Sequence, residues 1–155
     1  MKQPLRCIGL AVLTCFLLAA PAGAESVASK YITVDIPDNW KIIMAPADPQ
    51  EAGTIIISNS AGSTSIGFVS GPSGGASSKT VAELFANHFK AVAPPVERNG
   101  RYVFNFLQQQ TPCQTWVAAT EDVFIVTSVF GDRRIGLNFI KKHVKSEDFD
   151  ALLPK

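Results

Sequence analysis

Cysteine and histidine are scarce in this sequence. Of the three cysteines, Cys7 and Cys15 lie in the first 24 residues, which leaves Cys113 alone in the remaining 131. A single cysteine cannot form a disulfide within one chain, so a disulfide-stapled scaffold is excluded. The two histidines, His88 and His143, are 55 positions apart, which is not the spacing of a zinc site. We therefore expect neither a metal nor a cofactor.

An excess of charge of either sign is also missing. The chain has 14 Lys and Arg against 13 Asp and Glu, and residues 25–155 have 12 against 13. A nearly neutral chain lacks the electrostatic footprint of a nucleic-acid-binding protein, so we expect no nucleic-acid partner. The hydrophobic fraction of 46% excludes a largely disordered chain, and 155 residues fit one domain.

Long hydrophobic runs are missing except at the start. Residues 8–20 are apolar, Lys2 and Arg6 supply positive charge before them, and Ala22–Ala24 has the small-x-small pattern that signal peptidase cleaves. We predict a signal peptide over 1–24, cleaved after Ala24, and a bacterial protein that is periplasmic or secreted. The alternative is an uncleaved anchor, but the run is shorter than the roughly 20 residues of a membrane span, so no stable span is expected after cleavage. Cys15 lies inside the run, which excludes lipidation.

The first part of residues 25–155, predicted to be a single α+β domain, has the pattern of β-strands. Apolar and polar residues alternate from Tyr31 to Ile36, and Pro37-Asp38-Asn39 is typical of a turn. Two further turn-forming segments separate β-branched runs. We predict four antiparallel strands connected in series, over 31–36, 40–44, 54–58 and 64–70.

A helix is predicted after the Gly/Ser-rich segment 71–78. Thr80 and Glu83 have the spacing of a capping box, with Thr80 as the N-cap residue, and Pro94-Pro95 would stop the helix. Apolar residues then recur at helical spacing and are expected to face the core. They are Val81, Leu84, Phe85, Phe89 and Val92.

The second half of the chain is again rich in strand patterns. Asn99-Gly100 predicts a tight hairpin, and strands are expected over 102–107, 113–119 and 123–130. A second helix is predicted over 135–144 with Phe139, Ile140 and Val144 inward, followed by a short packed turn at Phe149, Leu152 and Leu153. Strands and helices do not alternate regularly, so we predict an α+β fold: an antiparallel β-sheet with two main helices packed on it.

The opening strand followed by Ile36-Pro37-Asp38-Asn39-Trp40 resembles the start of the PsbP-like fold, which bacterial DcrB-type envelope proteins share. The later order of hairpin, helix, three-stranded meander and C-terminal helix is similar too. The resemblance covers residues 31–153 in topology. It implies an α/β/α sandwich that serves as an accessory or partner-binding module and not as an enzyme. That family has no shared catalytic residues, so none is carried over.

Two motifs in the 71–80 segment match catalytic or phosphate-binding patterns. Gly71-Pro72-Ser73-Gly74-Gly75 has the form of a nucleophile elbow, for which His88 or His143 would be the base. Lys79-Thr80 at a helix start is similar to the end of a P-loop, which would hold an anion. We interpret the segment as a flexible loop, because 131 residues cannot hold the hydrolase sheet with its crossovers. Ser73 and Lys79 remain candidate binding residues.

Three further side chains require interpretation. Cys113 is expected to be a buried small residue, with an intermolecular disulfide or a catalytic thiol as alternatives. Trp40 and Trp116 are candidates for lining a binding groove, since an indole N–H needs a polar partner even when it is buried.

The hypothesis for function is an exported, periplasmic, non-enzymatic accessory protein that binds a partner protein or an envelope component. One alternative is a small-ligand or lipid carrier that uses the space between sheet and helix. The other is a small hydrolase that uses Ser73 or Cys113.

Overall fold

The computed structural model describes residues 25–155, and the predicted signal peptide, with Cys7 and Cys15, lies outside them. Those residues form ten strands, two α-helices and one 3-10 helix. The strands are β1 (Glu25–Ala28), β2 (Thr33–Ile36), β3 (Trp40–Met44), β4 (Gly53–Asn59), β5 (Thr64–Pro72), β6 (Val96–Arg98), β7 (Arg101–Gln108), β8 (Thr111–Ala119), β9 (Val123–Gly131) and β10 (Val144–Lys145). The helices are α1 (Ser78–Phe89), α2 (Arg133–His143) and the 3-10 helix Asp150–Leu152. Within this range no helix combines the length and apolarity that crossing a membrane requires.

The strands form two antiparallel sheets. The large sheet has the order β3-β4-β5-β9-β8-β7-β6, so two meanders meet where β5 pairs with β9. The small sheet has the order β1-β2-β10. The predicted α+β class, an antiparallel sheet with two main helices packed on it, is confirmed.

The two helices pack on opposite faces of the large sheet. Successive strand residues point to opposite faces, and β9 shows the division. Ile125 and Val129 belong to the core beneath α2, whereas Val126 belongs to the core beneath α1. The small sheet adds Val34 and Ile36 to the core on the α2 side.

The prediction of four strands in series is wrong for the first strand. β2 pairs with β1 and β10 in the small sheet, not with β3. The Pro37–Asn39 turn, closed by a hydrogen bond from Trp40 N to Pro37 O (2.8 Å), redirects the chain so that Trp40 starts an edge strand of the large sheet. Val144, which was predicted to be helical, pairs with Val34. Strands as short as β1 and β10 have no periodicity to detect.

Helix α1 forms as predicted, but its cap and its inner face differ. Ser77, not Thr80, is the N-cap residue, and its Oγ accepts a hydrogen bond from Thr80 N (3.2 Å). Leu84 and Val92 were predicted to be inward, but they are 67% and 72% exposed. The helix ends at Phe89, before Val92, and its buried face is narrow because small side chains allow close approach to the sheet. The buried residues of α1 are Val81, Ala82 and Ala86.

Helix α2 begins two residues before its predicted start. Asp132 caps it, and its carboxylate accepts two amide hydrogen bonds from the first turn. Phe139 and Ile140 are buried as predicted. Gly136 faces Val129 of β9 so closely that a Cβ at position 136 would lie 2.5 Å from Val129 Cγ1. The missing side chain therefore sets the distance between α2 and the sheet.

Candidate functional site

Helix α2 covers only part of its face of the large sheet. It packs mainly against β5 and β9, while α1 packs against β7 and β8 from the other side. On the α2 side the outer strands β8, β7 and β6 therefore have neither α-helix above them, although the 3-10 helix contacts β8 and Arg133 and Leu137 of α2 border the strands. Directly paired strand residues share a face, so the residues of this open face follow from the register. They include Val96, Val103 and Trp116, which pair in a row, and the pair Asn105 and Gln114.

Three recesses of about 240, 300 and 230 Å³ lie on this open face. Gln114 lines all three, and Val103, Asn105 and Arg133 each line two of them. The recesses therefore join into one depression, which we call the trough.

One end of the trough is strongly basic. Four cationic side chains and Trp116 line the recess of about 240 Å³, and no Asp or Glu lines it. We call this recess the cationic pocket. Within residues 25–155, only Lys155 of the four cations lies within 4.0 Å of a carboxylate, that of Asp150. The positive charge of the other three is therefore not neutralised by an ion pair. The four cations are Arg98, Arg101, Arg133 and Lys155.

Neutral partners hold two of these arginines in place. Arg101 Nη2 donates to the carbonyl oxygens of Ala151 and Leu153, both at 2.7 Å, which ties β7 to the C-terminal segment. Its Nε is buried and has no acceptor. Arg133 Nη1 donates to Gln114 Oε1 at 3.3 Å. Because these acceptors are uncharged, the two guanidinium groups are oriented while their charge remains available to a ligand.

Away from the cationic pocket the trough is bordered mainly by apolar side chains, although Arg98 and Arg133 also line its two other recesses. Val92, Val96 and Leu107 border it and are 72%, 54% and 64% exposed. The segment that follows α1 is fixed to β7 by a hydrogen bond from Val92 N to Asn105 O (2.8 Å). At about 3.4 Å per residue, roughly 20 Å separates Arg101 from Leu107 along β7.

The two tryptophans have different environments. Trp40 is buried and its ring lies 4.2 Å from that of Phe139, so it belongs to the core beneath α2. Trp116 is half-buried and lines the cationic pocket. Their strands, β3 and β8, are four positions apart in the sheet, or about 19 Å at roughly 4.8 Å per strand. The two indoles therefore do not line a common groove.

Ser73 lies away from the trough, whereas Lys79 lines a further recess of about 690 Å³ that shares Val92, Ala93 and Pro94 with it. Ser73 donates a hydrogen bond from Oγ to the carbonyl oxygen of Glu121, and its backbone N–H donates to Asp122 O (2.9 Å). In the first turns of α1, Lys79 Nζ lies 3.9 Å from Glu83 Oε1. The segment predicted to be a flexible loop is thus fastened to the turn between β8 and β9.

The structure does not assemble a nucleophile and base from the candidates in the sequence. His88 is exposed near the far end of α1, about 15 Å along the axis from its start, whereas Ser73 precedes that start. His143 lies at the end of α2, on the opposite face of the sheet, with its ring 4.9 Å from that of Phe139. In residues 25–155 no group of three or more His, Cys, Asp or Glu side chains could hold a metal ion.

Cys113 belongs to the core beneath α1. Its side chain is buried and Sγ donates to Thr111 O at 3.3 Å. Burial raises the pKa of the Cys113 thiol, because the thiolate would lose its hydration. The thiol is therefore protonated at neutral pH, which is the opposite of what a nucleophile needs.

Comparisons with known proteins add little to this geometry. No protein-family model matches the chain, and no curated protein matches it. A crystal structure from Bacteroides thetaiotaomicron VPI-5482 is similar, with a TM-score of 0.47 and 12% sequence identity. The match covers 79% of this chain and 48% of that chain, so this chain spans about half the length of that structure. Likeness at this level carries no argument about function.

Sequence reasoning missed the four cations of the pocket, although it identified Trp116. Arg98 and Arg101 are close in sequence, but Arg133 and Lys155 are distant from them, and all four come together only when α2 and the C-terminal segment are in place. One feature of the sequence could have indicated part of this cluster. The predicted Asn99-Gly100 hairpin sets Arg98 directly opposite Arg101, and like charges in such a pair are destabilising.

Proposed function

We propose that the protein is an exported, periplasmic and non-enzymatic binding protein that holds a partner protein or envelope component in the trough. The observation that carries the proposal is the open face of β6–β8, where exposed apolar side chains continue into a pocket of cations that no Asp or Glu side chain lines. A PsbP-like arrangement with a partner-binding role agrees with this proposal.

The energetics favour an extended contact that includes both ends of the trough. Fully burying a Val or Leu side chain is worth about 1.5–3 kcal/mol, and Val92, Val96 and Leu107 are only half to three-quarters exposed. Their burial would contribute roughly 3–6 kcal/mol, while association costs at least about 4 kcal/mol in lost freedom. Apolar contact alone would therefore give weak binding, and the cationic pocket would supply the remaining affinity and the specificity.

Two observations favour a partner surface over the alternative functions. The trough is an open depression on the sheet surface and not an enclosed cavity, which suits a partner surface better than a small-ligand site. The spaces between the sheet and both helices are filled by core side chains, among them Phe104 and Phe139, which argues against a lipid carrier. Ser73 lies apart from both histidines and the Cys113 thiol is buried, which supports binding rather than hydrolysis.

Site-specific photocrosslinking tests the proposal. A benzophenone amino acid would replace either Leu107, in the trough, or Leu84, on the outer face of α1. The two leucines are 64% and 67% exposed, so they are matched in residue type and accessibility. In cells that export the protein, we expect a discrete adduct from position 107 and none from position 84. Equal adducts from both positions, or an adduct from position 84 alone, would contradict the proposal.

A further inference from the structure

We infer that the occupant of the trough is an acidic polypeptide segment. Its carboxylates would enter the cationic pocket, and its neighbouring apolar side chains would cover Val96 and Leu107. This inference rests on the proposed function, because it names the chemistry of the partner that the trough binds.

The arrangement of charge in the pocket calls for an anion. Arg98 and Arg101 face each other directly across the β6–β7 hairpin, and Arg133 and Lys155 line the same recess. Like charges brought together repel, and no carboxylate of residues 25–155 lies within 4.0 Å of any of the three arginines. The Asp132 carboxylate beside Arg133 caps α2, and its Oδ1 accepts two hydrogen bonds from backbone amides. A ligand that carries negative charge would relieve this repulsion.

The lining of the pocket indicates what carries that anion. A guanidinium group binds a planar carboxylate with two parallel hydrogen bonds. Trp116, Val103 and Leu137 form apolar surface beside the cations, so the anionic group would belong to a body with apolar parts. A Glu or Asp side chain within a peptide has this form. A free inorganic anion would leave the indole uncovered.

The shape of the trough favours a polypeptide over a membrane surface. The pocket continues for roughly 20 Å along β7 to exposed Leu107, and the amide side chains of Asn105 and Gln114 lie between the two ends. An extended segment of about six to eight residues matches that length. Lipid headgroups in a plane would not enter a recess. Residues 25–155, with 12 cations against 13 anions, also lack the net positive charge that attracts an anionic bilayer.

The test uses two labelled peptides of about eight residues, one alternating Glu and Leu and the other Gln and Leu, titrated by fluorescence polarisation. We expect the Glu peptide to bind at least about tenfold more tightly than the Gln peptide, with affinity that falls as salt rises from about 0.05 to 0.3 M. Arg98→Gln and Arg133→Gln should each weaken binding about tenfold or more, whereas Arg98→Lys should lose less. Lys141→Gln, an exposed cation at the far end of α2, is the matched control and should bind as the wild type does. Far-UV circular dichroism and unfolding curves verify that each variant is folded.

Several outcomes would overturn the inference. If the Gln peptide bound as tightly as the Glu peptide, the inference of an acidic partner would be wrong. A crosslink at position 107 would in that case still support the proposed function. Binding of inorganic phosphate or of phosphatidylglycerol vesicles, with no binding of the Glu peptide, would replace the polypeptide by a phosphate group or a membrane. If Arg98→Gln and Arg133→Gln did not weaken binding of the Glu peptide, its binding site would lie elsewhere on the chain. Failure of both the peptide titration and the position-107 crosslink would refute the inference and the proposed function together.

Discussion

The contact between Gly136 and Val129 offers a quantitative test of how α2 is seated on the sheet. Gly136→Ala would place a Cβ 2.5, 2.8 and 3.2 Å from the three side-chain carbons of Val129. Carbon atoms prefer separations of about 3.5–4.0 Å, so α2 or β9 would have to move by roughly 1 Å. Val129 is buried on β9, which is paired on both sides by β5 and β8, so the sheet cannot easily retreat.

The expected cost follows from two opposing effects. Overpacking a core typically costs about 1–3 kcal/mol, and the rigid position of Val129 favours the upper end of that range. Replacing Gly by Ala inside a helix returns about 1 kcal/mol. The free energy of unfolding should therefore fall by about 2 kcal/mol in Gly136→Ala. Val129→Ala should cost about 2 kcal/mol on its own, and the double variant should cost only about 1 kcal/mol, because each change makes room for the other.

Urea unfolding of the wild type, both single variants and the double variant measures this coupling. Asn138→Ala, on the exposed side of the same helix, is the control and should change stability by less than about 0.5 kcal/mol. A Gly136→Ala variant as stable as the wild type, or a double variant whose loss equals the sum of the single losses, would refute the close seating of α2. Because α2 supplies Arg133 and Leu137 to the cationic pocket, Gly136→Ala should also weaken binding of the Glu peptide.

Two further predictions concern stability. Because Ser77 caps α1, Ser77→Ala should lower the free energy of unfolding in urea by about 1 kcal/mol, and Thr80→Ala should lower it by less than half of that. A larger loss for Thr80→Ala than for Ser77→Ala would identify Thr80 as the cap. Burial raises the pKa of the Cys113 thiol in the native state above the ordinary value of 9.0 that it has in the unfolded chain. The thiol therefore favours the native state at pH values below 9.0, and this contribution to stability is lost as pH rises through the native pKa. Between about pH 8 and 10 the wild type should therefore lose more stability than Cys113→Ala, and parallel losses would contradict the burial of the thiol.

Most of the fold could be predicted because its strong signals are local. The Asn99-Gly100 turn, with φ values of 51° and 74°, and the apolar run of β9 each specify their structure within a few residues. The placement of β2 could not be predicted in this way. Its alternating pattern specifies a strand with one buried face, but the sheet to which it belongs depends on Val144, about 110 positions later.

The trough could be predicted from the sequence even less well than the placement of β2. Trp116 could be suspected from its type, because a large ring with a polar N–H commonly serves in binding. The absence of an α-helix over β6–β8 on this face is a consequence of where α2 lies, and that depends on the close approach of Gly136 to Val129. Trp40 has the same side chain but lies under Phe139, so residue type alone could not separate the two tryptophans.

The most direct test of the central claim is a map of NMR chemical-shift changes as the Glu peptide is added to the ¹⁵N-labelled protein. The account predicts that shifts concentrate at the indole N–H of Trp116 and at the backbone amides of Val103 and Gln114, while the indole of Trp40 and the amides of α1 stay in place. Shifts that cluster on α1 or around Ser73, with the Trp116 indole unmoved, would contradict it.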